Sequence, residues 1–272
     1  MNQPRGTPSA IRELTANSSR VFYEKFHQRT QAPSALLKDT DFTYGGLAEF
    51  VRRNLPQRGR ILDIGCGNGV LSMYIASLGY EVVALDISER AIREAERGAK
   101  KLGIKGVTFI PEDFARFNSK DKFDAVLCFD VLEHLPDDRA AIDRIAKLLR
   151  LDGKIILRVP SPTSLVHRLR IAMVGYDAFD DSVGHLRRYN TQSITALLHQ
   201  YGFRTLEIEP VEGPLRNFLY TTHTGNRFLR FVARPKIAPL LTTTDGLALK
   251  AFGCSGFNLA AALEIPQASY GV

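Results

Sequence analysis

"ILDIGCGNGVLSMYIA", residues 61–76, runs from an apolar stretch through three glycines in five positions into a helical pattern, with the carboxylate of Asp63 at the end of the apolar stretch. The spacing predicts a strand over 61–64 and a helix that begins near Gly69 and carries Leu71, Ile75 and Leu78 on one stripe up to Gly79. Gly65, Gly67 and Gly69 lack a Cβ, so the turn between the two elements can take positive φ and let a ligand approach the backbone. The helix start that follows offers unpaired amides and a positive partial charge.

The pattern outside this stretch is one of alternation. Apolar, β-branched runs at 61–64, 81–86, 107–110, 123–129, 154–159, 203–209 and 257–264 read as strands, and helical patterns fill most of the gaps, which is the signature of a parallel sheet covered by helices. Ser88 is placed to cap a helix carrying Ala91, Ala95, Ala99 and Leu102 that stops at Gly103. Pro136-Asp137 opens a helix through Ile142, Ile145 and Leu149, ending before Asp152-Gly153. Asn190 caps one carrying Ile194, Leu197 and Leu198, with Gly202 as its stop. Residues 161–190 and 211–255 interrupt the alternation, and long excursions of this kind are usually functional. Both are expected at the mouth of a site, together with a helix around "RVFYEKFHQR" (20–29) near the N-terminus.

Composition narrows the class. With 272 residues, 44% apolar and 24% charged, the chain reads as one ordinary globular domain with an elaboration. The formal charge of +7 is scattered, with short clusters at Arg187-Arg188 and at Arg227, Arg230 and Arg234, so a solvated surface is expected rather than a nucleic-acid groove. Cys66, Cys128 and Cys254 are odd in number and far apart, which argues against disulfides and against a zinc site. The first twenty residues lack the apolar core of a signal peptide, and no run of about 18 apolar residues is present. The expectation is a cytoplasmic protein, at most peripheral to a membrane.

The glycine spacing separates two ligand classes. A dinucleotide fold uses G-x-G-x-x-G to seat a pyrophosphate on the helix start, whereas this chain has G-x-G-x-G behind an acidic residue that would repel phosphate but suit the ammonium of an amino-acid moiety. "EVVALDIS" (81–88) ends on Asp86, whose carboxylate can accept both hydroxyls of a ribose, and "FIPEDF" (109–114) brings Asp113 to the end of the third strand, within reach of an adenine amino group. Taken singly, Asp86 and Asp113 are loop carboxylates in water; their joint spacing is what carries information.

"LDIGCGNG", "ALDIS", "EDF" and "FDAVLCFDVLEHLPD", in this order, resemble the class I S-adenosylmethionine-dependent methyltransferases, and the resemblance covers about residues 45 to 210 plus the final "GFNLAAALE". It implies a Rossmann-like, doubly wound α/β sheet of seven strands whose last strand is antiparallel and inserted beside the fifth. The division expected is a helical N-terminal lid over 1–45 and a catalytic domain over 46–272. The implied cofactor is S-adenosyl-L-methionine, leaving as S-adenosyl-L-homocysteine. Carried onto this chain, Asp63, Gly65, Cys66, Gly67, Asn68 and Gly69 meet the methionine part, Asp86 and Ile87 the ribose, Asp113 and Phe114 the adenine, while Asp130 flanks the cofactor.

Methyl transfer is an in-line displacement on a carbon already activated by sulfonium, so alignment does much of the work and a base is needed only for a poor nucleophile such as a hydroxyl. His134 in "DVLEHL" is the first candidate for that base, with shaping of the cofactor pocket as its other reading, and His185 is the second. The same stretch is similar to ubiquinone-pathway O-methyltransferases, where an acid plus Glu-His is associated with a divalent metal. The trio here would be Asp130, Glu133 and His134, with aspartate in place of the longer acid, and no metal is assigned. "GHLRRYN" (184–190) supplies Arg187, Arg188 and Tyr189 as acceptor-side residues, against the reading of a basic turn paired with Asp180 and Asp181. Residues 214–241 read as an amphipathic lid, a homodimer contact or a peripheral lipid contact. The partner expected is a small, partly apolar acceptor methylated at oxygen, with nitrogen or carbon as alternatives. A nucleic-acid substrate is not expected, because the fourth strand ends in "FDVLEHL" and not in the Asn/Asp-Pro-Pro-aromatic motif that holds a flipped base.

Overall fold

The computed structural model describes residues 16–38, 41–222, 228 and 237–264. The strands are β1 (Arg60–Ile64), β2 (Glu81–Asp86), β3 (Val107–Pro111), β4 (Phe123–Phe129), β5 (Leu149–Pro160), β6 (Phe203–Val211) and β7 (Gly256–Leu263). They form one sheet in the order β3-β2-β1-β4-β5-β7-β6. Strands β1 to β5 pair in parallel, and β7 runs antiparallel between β5 and β6, with Leu157 opposite Leu259 and Ile208 opposite Leu259 on the other side.

Alternate residues of the same strands feed two cores, as the pleat requires. Leu62, Ile64, Val83, Leu85, Val126, Cys128, Ile155 and Leu157 point to one face. They pack there under α5 (Asp138–Leu148) and α8 (Thr191–Gln200). Ile61, Val82, Ala84, Ala125, Leu127 and Ile156 point to the other. That face is covered by α2 (Gly45–Asn54) and α3 (Val70–Ser77). Helix α4 (Glu89–Leu102) packs beside β2 and β3.

The helix boundaries follow the capping residues. Ser88 accepts the Ala91 amide and Gly103 closes α4 in the left-handed region, while Asn190 and Ser193 form a reciprocal capping box on α8. One boundary differs from the sequence reading. The helix expected to run through Leu149 ends at Leu148, because Leu149 already pairs with Phe123 of β4 and the chain then bends at Asp152, φ +61°, before rejoining the ladder at Lys154.

The order of neighbours reverses between β1 and β4, which opens a crevice at the carboxyl ends of the strands. Four further helices surround it: α1 (Ala16–Phe26) from the N-terminal segment, α6 (Leu165–Val174) and α7 (Ala178–Val183) from the first excursion, and α9 (Pro214–Thr221) from the second. The second excursion continues in α10 (Ala238–Phe252). Arg227, Arg230 and Arg234, and with them most of the lid expected over 214–241, lie outside the described residues. Among the described residues no helix is long and apolar enough to cross a membrane.

Candidate active site

The crevice is a cavity of about 890 Å³. Its floor is the glycine turn. Gly65 takes φ +71°, and a Cβ there would collide with Val131; Gly69 takes φ +76° as the N-cap of α3, where a Cβ would lie 2.7 Å from the Phe109 ring. Gly65, Cys66, Gly67 and Asn68 line the cavity, whereas Gly69 does not and serves the packing of α3 against β3 and α4. Burial pushes the Cys66 thiol well above its ordinary range, which makes it an inert spacer. Cys128 and Cys254 are buried, and all three cysteines are free.

Two carboxylates hold the turn in place. Asp63 is buried and accepts a hydrogen bond from the Ser72 hydroxyl of α3 at 2.5 Å. Asp86 accepts the Gly67 amide on one oxygen at 2.9 Å and the Ser88 amide on the other at 2.8 Å, and so ties the turn to the end of β2. Each oxygen keeps a lone pair, and Asp86 and Ile87 both line the cavity. Burial raises the Asp86 carboxyl, with the two amide bonds opposing. Asp113 and Phe114 line the adjoining wall, Asp113 with one oxygen on the Ala115 amide at 2.9 Å.

Asp63 gives the first testable consequence. Burial raises its carboxyl to about 7, with the Ser72 bond opposing and the charge of Asp86 adding to the rise. The unfolded value is about 3.9, so between about pH 4 and 7 the native state holds a proton that the unfolded chain has released. Stability of the ligand-free protein therefore falls as pH rises through this window, by up to about 4 kcal/mol from this group. Asp63→Asn removes the contribution, and its melting temperature is expected to decline less steeply across the window than that of the parent. Parallel profiles would refute the assignment.

The β4 end carries the second group of side chains. Asp130 sits at φ +54° and faces the cavity; burial raises its carboxyl, with the charge of Arg158 opposing. Glu133 is 0% exposed, and among the described residues neither of its oxygens has a hydrogen-bond partner. Burial, and next the charge of Asp130, push it well above the carboxylate range. His134 Nδ1 lies 3.1 Å from the Gly184 carbonyl, which can only accept, so Nδ1 carries the proton and Nε2 presents a lone pair 4.0 Å from Glu133 Oε1. Burial and the neighbouring His185 lower His134 to about 4.

The first excursion closes the site. His185 Nδ1 lies 2.7 Å from Asp180, its Nε2 lies 3.7 Å from Glu133, and the residue lines the cavity. Asp180 also accepts Arg188 Nε at 2.8 Å and Nη2 at 2.6 Å. Burial alone would raise Asp180, but these bonds outweigh it and hold the carboxyl at about 2. An ionised Asp180 fixes the proton of His185 on Nδ1, so Nε2 is left as an acceptor. Glu133, His134 and His185 thus bring three electron-pair donors within 4.8 Å of one another, a set that could hold a metal ion. Asp130, the acid of the expected trio, is not in that set; His185 takes its place.

Arg188 lines the cavity, but Arg187 and Tyr189 do not. Arg187 donates to the carbonyls of Leu135 and Pro136, and the buried Tyr189 hydroxyl donates to Asp138 at 2.7 Å, so this pair staples the excursion to the start of α5. Sequence reasoning missed several wall residues. Tyr23 and His27 come from the N-terminal segment, with the Tyr23 ring edge-on to His134 at 5.8 Å. Tyr44, Arg158 and Glu212 form the opposite wall, Arg158 held by Asn258 at 2.9 Å and Glu212 held by the Ser255 hydroxyl at 2.8 Å. The spacing of Tyr23 and Phe26 on one face of a helix was the available signal; Arg158 gave none, being one of three cations along β5.

Comparison with known proteins identifies the family. Residues 40–208 match the family model described as a methyltransferase domain. The chain is 30% identical over 198 residues to the ubiquinone biosynthesis O-methyltransferase of Xanthomonas axonopodis pv. citri, covering 69% of this chain and 81% of that protein. The magnesium protoporphyrin IX methyltransferase of Synechocystis PCC 6803, crystallised with S-adenosylhomocysteine, superposes with a TM-score of 0.58 at 18% identity over 94% of this chain and 99% of that one. A cyclase, SpnF, superposes with a TM-score of 0.59 at 18% identity, covering 81% of this chain and 80% of that one. Such distant likeness speaks for the fold alone, since one fold hosts several chemistries.

Proposed function

Because this chain belongs to the family of class I S-adenosylmethionine-dependent methyltransferases, we propose that it methylates a hydroxyl of a small, partly apolar acceptor, with His185 as general base and Asp180 as its positioning partner. The observation that carries this reading is the Asp180–His185 pair, in which Asp180 accepts from Nδ1 and so makes Nε2 the acceptor of the neutral ring, in a residue that lines the cavity. His134, held near 4, is the weaker proton acceptor at neutral pH and is assigned to the wall. The likeness to the Xanthomonas O-methyltransferase supports oxygen as the acceptor atom. Tyr23, Phe26, Phe179 and Tyr220 give the cavity aromatic surface for an apolar ring.

In this reading Gly65 to Asn68 and Asp63 would hold the methionine part of the cofactor, Asp86 and Ile87 the ribose, and Asp113 and Phe114 the adenine. S-adenosylmethionine, when bound, would supply an activated methyl group and leave as the neutral thioether. His185 would take the proton of the acceptor hydroxyl that receives the methyl group. Alignment of the three reacting atoms supplies roughly 7 to 11 kcal/mol and the base about a hundred- to ten-thousand-fold.

A second reading is favoured by the unpartnered oxygens of Glu133. One carboxylate and two imidazoles suit a divalent cation, and Glu133, His134 and His185 would hold it. Such an ion would supply Lewis acidity to an acceptor oxygen. Turnover with adenosylmethionine and a panel of catechols and phenols, read by product mass with and without chelator, decides between them. A methyl ether formed at an unchanged rate in chelator is the expected result; loss of turnover selects the cation, and methylation of amines or RNA with no hydroxyl product overturns both.

A further inference from the structure

Two of the arginines around the site are saturated by the protein itself. Arg188 places Nε and Nη2 on Asp180 at 2.8 and 2.6 Å and Nη1 on the Ser161 carbonyl at 3.0 Å. Arg170 bonds Asp177 at 3.0 Å and the hydroxyl and carbonyl of Thr221 at 2.8 and 3.0 Å. Arg158 differs. Its side chain is 13% exposed and lines the cavity, yet its Nε bonds the neutral amide of Asn258 and its Nη1 meets Glu212 only at 3.5 Å, the outer limit of a hydrogen bond. Among the described residues its Nη2 has no partner.

The gap to Glu212 is held open. The second carboxylate oxygen of Glu212 accepts the Ser255 hydroxyl, and its backbone carbonyl accepts the Ser255 amide, both at 2.8 Å. Its backbone sits at φ +56°, a conformation that a glutamate keeps only where its surroundings impose it. Glu212 is therefore anchored at the root of β7 and does not close on the guanidinium. A guanidinium cannot shed its charge, so a largely buried one with incomplete pairing is costly until a ligand completes it. Its planar fork matches a carboxylate, which it can bind through two parallel bonds.

The chemistry of the cavity calls for such a group. S-adenosylmethionine carries an α-carboxylate that is ionised at neutral pH. Asp63, Asp86, Glu112, Asp113, Asp130 and Glu212 line the cavity and repel it. Among the described residues the arginines that line the cavity are Arg158 and Arg188, and Arg188 is already taken. An acceptor bearing an acidic group would meet the same surroundings. Asp130 and Glu212 draw on the charge of Arg158, which limits the expected gain to that of a single charge-assisted contact.

We propose that Arg158 is a carboxylate-binding site in the cavity wall, filled by the α-carboxylate of the cofactor or by a carboxylate on the acceptor. The first source rests on the cofactor placement proposed above; the second does not.

Calorimetry on the full chain tests it with two pairs of compounds: S-adenosylhomocysteine against its decarboxylated analogue, and 3,4-dihydroxybenzoate against catechol. In at least one pair the parent is expected to bind the carboxylated member roughly ten- to a hundredfold more tightly than the other. Arg158→Gln should abolish that preference while binding the uncarboxylated member as the parent does. Arg158→Lys, which keeps the charge and loses the fork, should retain part of it. A preference confined to the first pair assigns the carboxylate to the cofactor, and one confined to the second assigns it to the acceptor. The proposal falls if the parent shows no preference in either pair, if both variants keep the preference intact, or if Arg158→Gln weakens both members of a pair alike. Failure of the parent to take up S-adenosylhomocysteine would count against the cofactor placement, and the second pair would then decide on Arg158.

Discussion

The Asp86→Ala variant is expected to bind S-adenosylhomocysteine roughly two to four orders of magnitude more weakly than the parent, as read by calorimetry. Hydrogen bonds to a charged group contribute about 1.5 to 3 kcal/mol each, and the proposed ribose contact makes two of them. The variant also releases the Gly67 and Ser88 amides, which the two carboxylate oxygens now accept, so the glycine turn loses its tie to β2. Asp86→Asn separates the two effects: its amide oxygen can replace one acceptor but not both, and affinity should fall between the parent and the alanine variant. A loss below about tenfold in the alanine variant would show that the ribose is held elsewhere.

The second large effect is expected at the histidine–aspartate pair. His185→Ala should lower kcat about a hundred- to ten-thousand-fold with a hydroxyl acceptor, with little change in cofactor affinity. Asp180→Asn should also lower kcat, because a neutral amide no longer fixes the Nδ1 proton, and it should displace the acidic limb of the pH–rate profile. A purely structural Asp180 would change melting temperature and leave that profile in place. His134→Ala provides the comparison: as a wall residue it should raise KM more than it lowers kcat. If His134→Ala instead gives the deeper loss in kcat, the base assignment passes to that residue.

The fold was legible because its signals are local. The β-branched runs, Ser88, Asn190, Gly103 and the G-x-G-x-G turn each act through their own backbone, and all occupy the elements their chemistry predicts. That Asp86, Asp113 and Asp130 line one crevice was legible for the same reason, since a residue at a strand's carboxyl end in a parallel sheet points toward the crevice by topology. The acceptor side was less so. In "GHLRRYN" four polar residues are adjacent in sequence, yet Arg187 and Tyr189 turn to the start of α5 while His185 and Arg188 turn to Asp180. Irregular backbone has no period, so sequence spacing does not say which side chains share a face. Glu133 was read in a trio with Asp130 and His134, and the short helical turn at Leu132–His134 brings it beside His185 as well, which the sequence spacing did not indicate.

The antiparallel β7 places Gly256 beside Pro160, so the first excursion leaves the sheet next to the point where the second returns. The Ser161 amide donates to the Ser255 carbonyl at 2.7 Å, and the Tyr189 amide to that of Pro160 at 2.9 Å, joining the roots of both segments to one corner of the sheet. Both segments can therefore change in length or sequence beyond that corner without disturbing the glycine turn, which hangs from β1 on the far side of β4.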